Sequence, residues 1–173
     1  MKRRGGRLAL EESRPIMLQA LQGLTYIHEQ GFVHRDLKPH NILLAGDGGS
    51  RVAKNFEQEG LSGMTATGSY AGSFPFMPRE QVINFKRVQP VSDVWAMGAT
   101  CYTMLTGTFP RTHRRGEDPM LAILHGEIVP LRQRDPQLPA RLAEVIDRAL
   151  ANKEGERFRH AGEMYEALVK ASE

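Results

Sequence analysis

Apolar residues recur at helical spacing in the first part of the chain. Ile16, Met17, Ala20, Leu21, Leu24 and Ile27 share one face of a helix expected over residues 11–30. Gly31 follows the stripe and suits a helix C-terminus. Residues 32–44 break the period. Short apolar pieces alternate with polar ones there and end in Asn41-Ile42-Leu43-Leu44. Gly46-Asp47-Gly48-Gly49 is a turn signal, and Arg51-Val52-Ala53-Lys54 can return as the second strand of a small hairpin.

Residues 57–81 carry Gly, Ser, Thr and Pro without a sustained period, which predicts a long loop. A loop of that length is uncommon in a compact domain unless it is functional or disordered. Residues 92–106 start with an N-cap type residue and are apolar on nearly every side, the pattern of a helix inside a core. A shorter helix is expected over residues 118–126. Two amphipathic helices follow Pro139 and His160, with stripes at Leu142, Val145, Ile146 and Ala149, and at Ala161, Met164, Tyr165 and Leu168. The pattern predicts a mainly α domain: a helical bundle around a central buried helix, with one small β-hairpin and one long loop. No internal repeat or low-complexity linker divides it.

Composition supports one packed domain. The chain has 173 residues, 40% apolar and 25% charged, enough of both for a core and a solvated surface. Its net charge is only +3, from 23 Lys and Arg against 20 Asp and Glu. The basic clusters Lys2-Arg3-Arg4 and Arg111 to Arg115 read as solvated surface, so no nucleic-acid partner is expected. No stretch approaches the ~18 apolar residues of a membrane span, and no apolar run follows the basic start, so neither a membrane nor a secretory role is expected. The single Cys101 rules out an internal disulfide, and no Cys/His group has zinc spacing. A cytoplasmic location fits best. His28, His40, His113, His125 and His160 read as surface or packing residues, and Met77, Met97 and Met104 as packing residues.

His34-Arg35-Asp36-Leu37-Lys38-Pro39-His40-Asn41 is the most informative stretch. It sets a carboxylate, an ammonium and a carboxamide within six residues of one another. Phosphoryl transfer needs these groups. A carboxylate orients the attacking hydroxyl and accepts its proton, a cation offsets charge on the transferred group, and a carboxamide oxygen can hold Mg²⁺. The segment resembles the H-R-D-x-K-x-x-N signature of the protein kinase family. That resemblance implies ATP and Mg²⁺ as cofactors and a protein as substrate. It makes Asp36 the catalytic base, Lys38 the contact to the γ-phosphate, Asn41 a Mg²⁺ ligand and Leu43 the residue beneath the adenine. Lys two residues after the Asp is similar to the serine/threonine branch.

The likeness continues downstream in order. Gly72-Ser73-Phe74-Pro75-Phe76-Met77-Pro78-Arg79-Glu80 resembles the substrate-docking loop and the A-P-E motif. The resemblance implies that Ser73 bonds Asp36 and Lys38, and that Glu80 pairs with Arg157. Ser92-Asp93-Val94-Trp95 resembles the start of the family's central helix, with Asp93 accepting backbone N–H groups that position His34 and Arg35. Thr65-Ala66-Thr67-Gly68-Ser69 and Glu80-Gln81 look most like bacterial kinases of the eukaryotic-like type. Arg35 could grip a phosphate on Thr65, Thr67 or Ser69.

Two departures stand out. Asn55-Phe56-Glu57 occupies the place of the magnesium-binding D-F-G. Asn55 offers Mg²⁺ a neutral oxygen where the family has a charge. One unit-charge pair at 4 Å is worth roughly 4 kcal/mol at an effective dielectric near 20, and each ~1.36 kcal/mol is tenfold in rate. Losing the carboxylate is therefore expected to cost several powers of ten, unless Glu57 reaches the metal instead. Phe56 is retained and can still pack under the site. Second, no G-x-G-x-x-G and no V-A-I-K strand occurs, so the resemblance across residues 1–173 covers the large lobe alone. Apolar residues that would face a small lobe are left bare, which predicts self-association, segment exchange or pairing with another chain. Three functional readings follow: the large lobe of a serine/threonine kinase, inactive by itself; a pseudokinase-type interaction or scaffold module; and a remnant with no selected role.

Overall fold

The computed structural model describes residues 6–44, 49–52, 73–112 and 116–171. Helix α1 runs over Leu10–Glu29 and buries Met17, Ala20, Leu21 and Leu24. Ile16 and Ile27 lie half-buried at the edges of that stripe. Glu12 reaches back to the Ala9 amide (3.3 Å), and Glu11 and Glu12 suit the positive end of the helix. At the other end the Gly31 amide bonds the His28 carbonyl (3.0 Å) and the Phe32 amide bonds that of Ile27 (3.1 Å). This Schellman arrangement needs the left-handed backbone that Gly31 supplies at φ +78°.

A 3₁₀ turn over Pro39–Asn41 leads into strand β1 (Ile42–Leu44). It pairs antiparallel with β2 (Ser50–Val52), Ile42 facing Val52 and Leu44 facing Ser50. The expected hairpin is present, with Ile42 buried and Leu43 and Leu44 exposed. The stretch read as irregular to residue 81 ends sooner. Phe74–Phe76 forms a 3₁₀ turn, and a short helix α2 occupies Arg79–Ile83 after Pro78. Five residues are too few to show a helical period, which is why the sequence hid it.

Helix α3 (Pro90–Thr106) is the centre of the molecule. Pro90 fixes its first turn, and Gly107 ends it at φ +71°. Residues 91–102, 104 and 105 are all buried, as its all-round apolar pattern predicts. The Trp95 indole donates to the Leu150 carbonyl (3.2 Å). The remaining helices are α4 (Pro119–His125), α5 (Leu131–Arg134), α6 (Ala140–Ala149) and α7 (Ala161–Lys170). Helix α1 packs on α3 and α7, and α6 packs on α3. The architecture is the expected helical bundle with a hairpin at one edge. No helix among the described residues is long and apolar enough to cross a membrane.

One sequence reading needs correction. Arg111, grouped with the solvated basic cluster, is only 8% exposed. Its guanidinium lies 4.0 Å over the Trp95 ring and donates to the Met77 carbonyl (2.6 Å). An aromatic face and a carbonyl give a guanidinium an interior position that local charge counting does not foresee.

Candidate active site

The site is built on Asp93, in the first turn of α3. Its Oδ2 accepts from the His34 amide (2.7 Å) and its Oδ1 from the Arg35 amide (2.8 Å). His28 Nε2 lies 3.0 Å from the same Oδ2. The Ala161 amide donates to His28 Nδ1 (3.3 Å), so the ring proton sits on Nε2 and points at Asp93. A buried carboxylate with three donors is satisfied, and it fixes two consecutive peptide groups.

That clamp holds a strained turn. Arg35 has φ +68°, the one positive value for a non-glycine among the described residues. Such a conformation costs an L-residue about 1–2 kcal/mol. Gln81 holds the other side, its Nε2 donating to the Arg35 carbonyl (2.8 Å). The Arg35 guanidinium lies 5.6 Å from the Phe85 ring centre.

The turn delivers Asp36 to a four-residue cluster. Lys38 Nζ stands 3.0 Å from Asp36 Oδ2 and donates to Ser73 Oγ (2.6 Å). Ser73 Oγ donates to Asp36 Oδ1 (3.1 Å). Asn41 Nδ2 donates to the Asp36 carbonyl (2.6 Å) and to Asp36 Oδ2 (3.1 Å). The Asp36 side chain stays 38% exposed, so a reactant can reach it. Asn41 spends its amide nitrogen on Asp36, which leaves Oδ1 as its atom for a cation. Leu43 stands exposed on β1 beside this cluster in sequence.

Glu80 and Arg157 meet as the resemblance implies. Arg157 Nη1 and Nη2 donate to the two Glu80 oxygens at 2.6 and 3.2 Å, and Arg157 also donates to the carbonyls of Ala151, Val91 and Asn152. Burial pushes the Glu80 carboxyl up, but the Arg157 hydrogen bond and charge outweigh that and hold it below its usual value. Asn55, Phe56, Glu57, Thr65, Thr67 and Ser69 lie outside the described residues.

The structure thus brings together Asp36, Lys38, Asn41 and Ser73 at one point, with His34, Arg35 and Asp93 behind them. Sequence reasoning missed two supports, His28 and Gln81. His28 extends the buried face of α1 four residues beyond Leu24, a usable signal. Gln81 gave none, because its role depends on the turn of α2.

The same order of groups marks a known family. Residues 1–167 match the family model described as the protein kinase domain. The chain belongs to the protein kinase family. Among its kinase relatives, a Corynebacterium efficiens protein called serine/threonine-protein kinases drp72 is 32% identical over 97% of this chain and 32% of its own length. The serine/threonine-protein kinase PknK of Mycobacterium bovis is 34% identical over 96% of this chain and 15% of its own. Among solved kinase structures, Rad53 residues 1–466 in complex with AMP-PNP superposes with a TM-score of 0.70 at 25% identity, covering 92% of this chain and 40% of that one. The chain therefore spans about a third or less of the length of these curated kinases.

Proposed function

We propose that this chain supplies the acceptor-facing half of a serine/threonine kinase site and that, by itself, it does not transfer phosphate. The observation that supports the first part is the cluster of Asp36, Lys38, Asn41 and Ser73. Asp36 orients a substrate hydroxyl and takes its proton. Lys38, held by Asp36 and Ser73, sets a cation beside the group in transfer. Ser73 locks both. Asn41 Oδ1 and Asn55 would hold Mg²⁺, and Leu43 would lie under the adenine of ATP. Bound magnesium supplies charge neutralisation of the phosphates.

Asn55 supports the second part. It removes the anionic metal ligand, and these 173 residues contain no glycine-rich loop or paired lysine to hold the other side of the nucleotide. A pseudokinase-type interaction module is the second reading, and the same Asn55 favours it. Nucleotide titration with and without Mg²⁺ tests both. The expected result is weak binding that Mg²⁺ does not strengthen, with Asn55→Asp restoring a magnesium effect. Autophosphorylation that Asp36→Asn abolishes would overturn the inactivity.

A further inference from the structure

Arg111 is a buried cation. Among the described residues no carboxylate lies within ion-pair distance of it. Its Nε has no hydrogen-bond partner, although the atom is buried. Its charged neighbours are Arg79 and Arg157, both cations, and Glu80, whose two oxygens Arg157 already occupies. Burial, with Arg79 and Arg157 beside it, pulls the Arg111 guanidinium down to about 9, still charged at neutral pH. Buried charges are ordinarily paired, because an unpaired one forfeits its hydration.

Arg111 is among the residues lining a pocket of about 180 Å³. Apart from Thr112 the other lining residues are apolar, among them Phe74, Pro75, Phe109 and Ile123. Arg79 closes the fold behind it by donating to the Ile123 carbonyl (3.3 Å). Phe74 and Pro75 directly follow Ser73, the residue that holds Asp36 and Lys38. Consecutive Cα atoms are about 3.8 Å apart, so two lining residues start within about 8 Å of Ser73, whose hydroxyl bonds Asp36. The pocket's size suits one side chain with an apolar stem, and its charge asks for a carboxylate at the tip.

We infer that this pocket reads an acidic side chain of the protein substrate, a Glu or Asp within a few residues of the acceptor hydroxyl, through Arg111. The inference rests on the kinase reading for the occupant being a substrate. The binding it describes requires neither nucleotide nor phosphotransfer.

Fluorescence anisotropy on the full chain tests it. The probes are labelled peptides with one Ser, carrying Glu at each of the four positions on either side, each paired with a Gln twin. One register should bind about tenfold tighter than its twin, the scale of a hydrogen-bonded charge pair. Arg111→Met keeps an apolar chain against Trp95 and should bring that ratio to about one. Thr112→Asp, on the exposed rim next to Arg111, should do the same without touching the core. The fluorescence of Trp95, the only Trp in the chain, reports folding of both variants. No Glu preference in any register, or a preference that survives Thr112→Asp, would overturn the inference. The kinase reading fails separately, since an inactive chain can still discriminate Glu from Gln and an active one can fail to.

Discussion

Asp93 takes hydrogen bonds from two consecutive amides and faces His28, all inside a side chain that is 1% exposed. Asp93→Asn keeps the shape but replaces one acceptor oxygen with a donor, which turns an N–H toward an N–H. Hydrogen bonds to a charged group are worth about 1.5–3 kcal/mol, so urea unfolding should show a loss of about 2–3 kcal/mol. Arg35→Gly runs the other way. It removes the strain at φ +68° and the contact with Phe85, worth about 1–2 and 0.5–1 kcal/mol. A thermal melt should place it within about 1 kcal/mol of the parent. Glu80 gives a pH signature. Its folded-state pKa lies below the ordinary glutamate value of 4.5, so its stabilisation is complete above 4.5 and is lost as pH falls through the lower folded value. Glu80→Gln leaves Arg157 without its carboxylate and should cost about 3 kcal/mol at neutral pH. Urea unfolding should show the gap to the parent beginning to close below about pH 4.5 and vanishing as pH falls through the lower folded-state value, where the folded parent too loses the charge.

At the scale of elements, α3 and α6 meet at Gly98. A Cβ there would lie 2.9 Å from Ala149 Cβ and 3.3 Å from Leu150 Cγ. Ala is favoured over Gly inside a helix by about 1 kcal/mol, but overpacking a filled core costs about 1–3 kcal/mol. Because the obstacle is a Cβ fixed to backbone, packing wins, and Gly98→Ala should lower stability by about 1–2 kcal/mol in chemical denaturation. The long helices were legible because each repeats its period several times: the stripes of α1, α6 and α7 and the all-apolar α3 leave little choice. The cluster of Asp36, Lys38 and Asn41 was legible because its members are near in sequence and follow a family signature. Distant partners came from the resemblance alone, Ser73 and Glu80 with Arg157. Arg111 was misread because its shelter, Trp95 and the Met77 carbonyl, comes from other elements. The residues that follow it, Thr112 to Arg115, are polar, and nothing at short range shows a basic side chain turning inward.

At the scale of the whole molecule, the hairpin sets two leucines in water. Successive side chains on a strand point to opposite faces, yet Leu43 and Leu44 are 56% and 49% exposed. Both faces of β1 therefore carry an exposed leucine beyond Ile42, while β2 packs against α1. Two adjacent leucines in water give an assembling surface a reason to form. Self-association through this edge follows as a proposal. Sedimentation over a wide concentration range should show the chain assembling as concentration rises, with Leu43→Ser and Leu44→Ser together returning it to a monomer while the far-UV spectrum stays unchanged. Both leucines are about half exposed in the monomer, so loss of assembly without loss of helix assigns the contact to this edge. A parent chain that stays monomeric at the highest concentration would mean that the hairpin stands alone in water. Assembly that survives the double change would move the contact elsewhere, to the exposed Phe32 or Ile83.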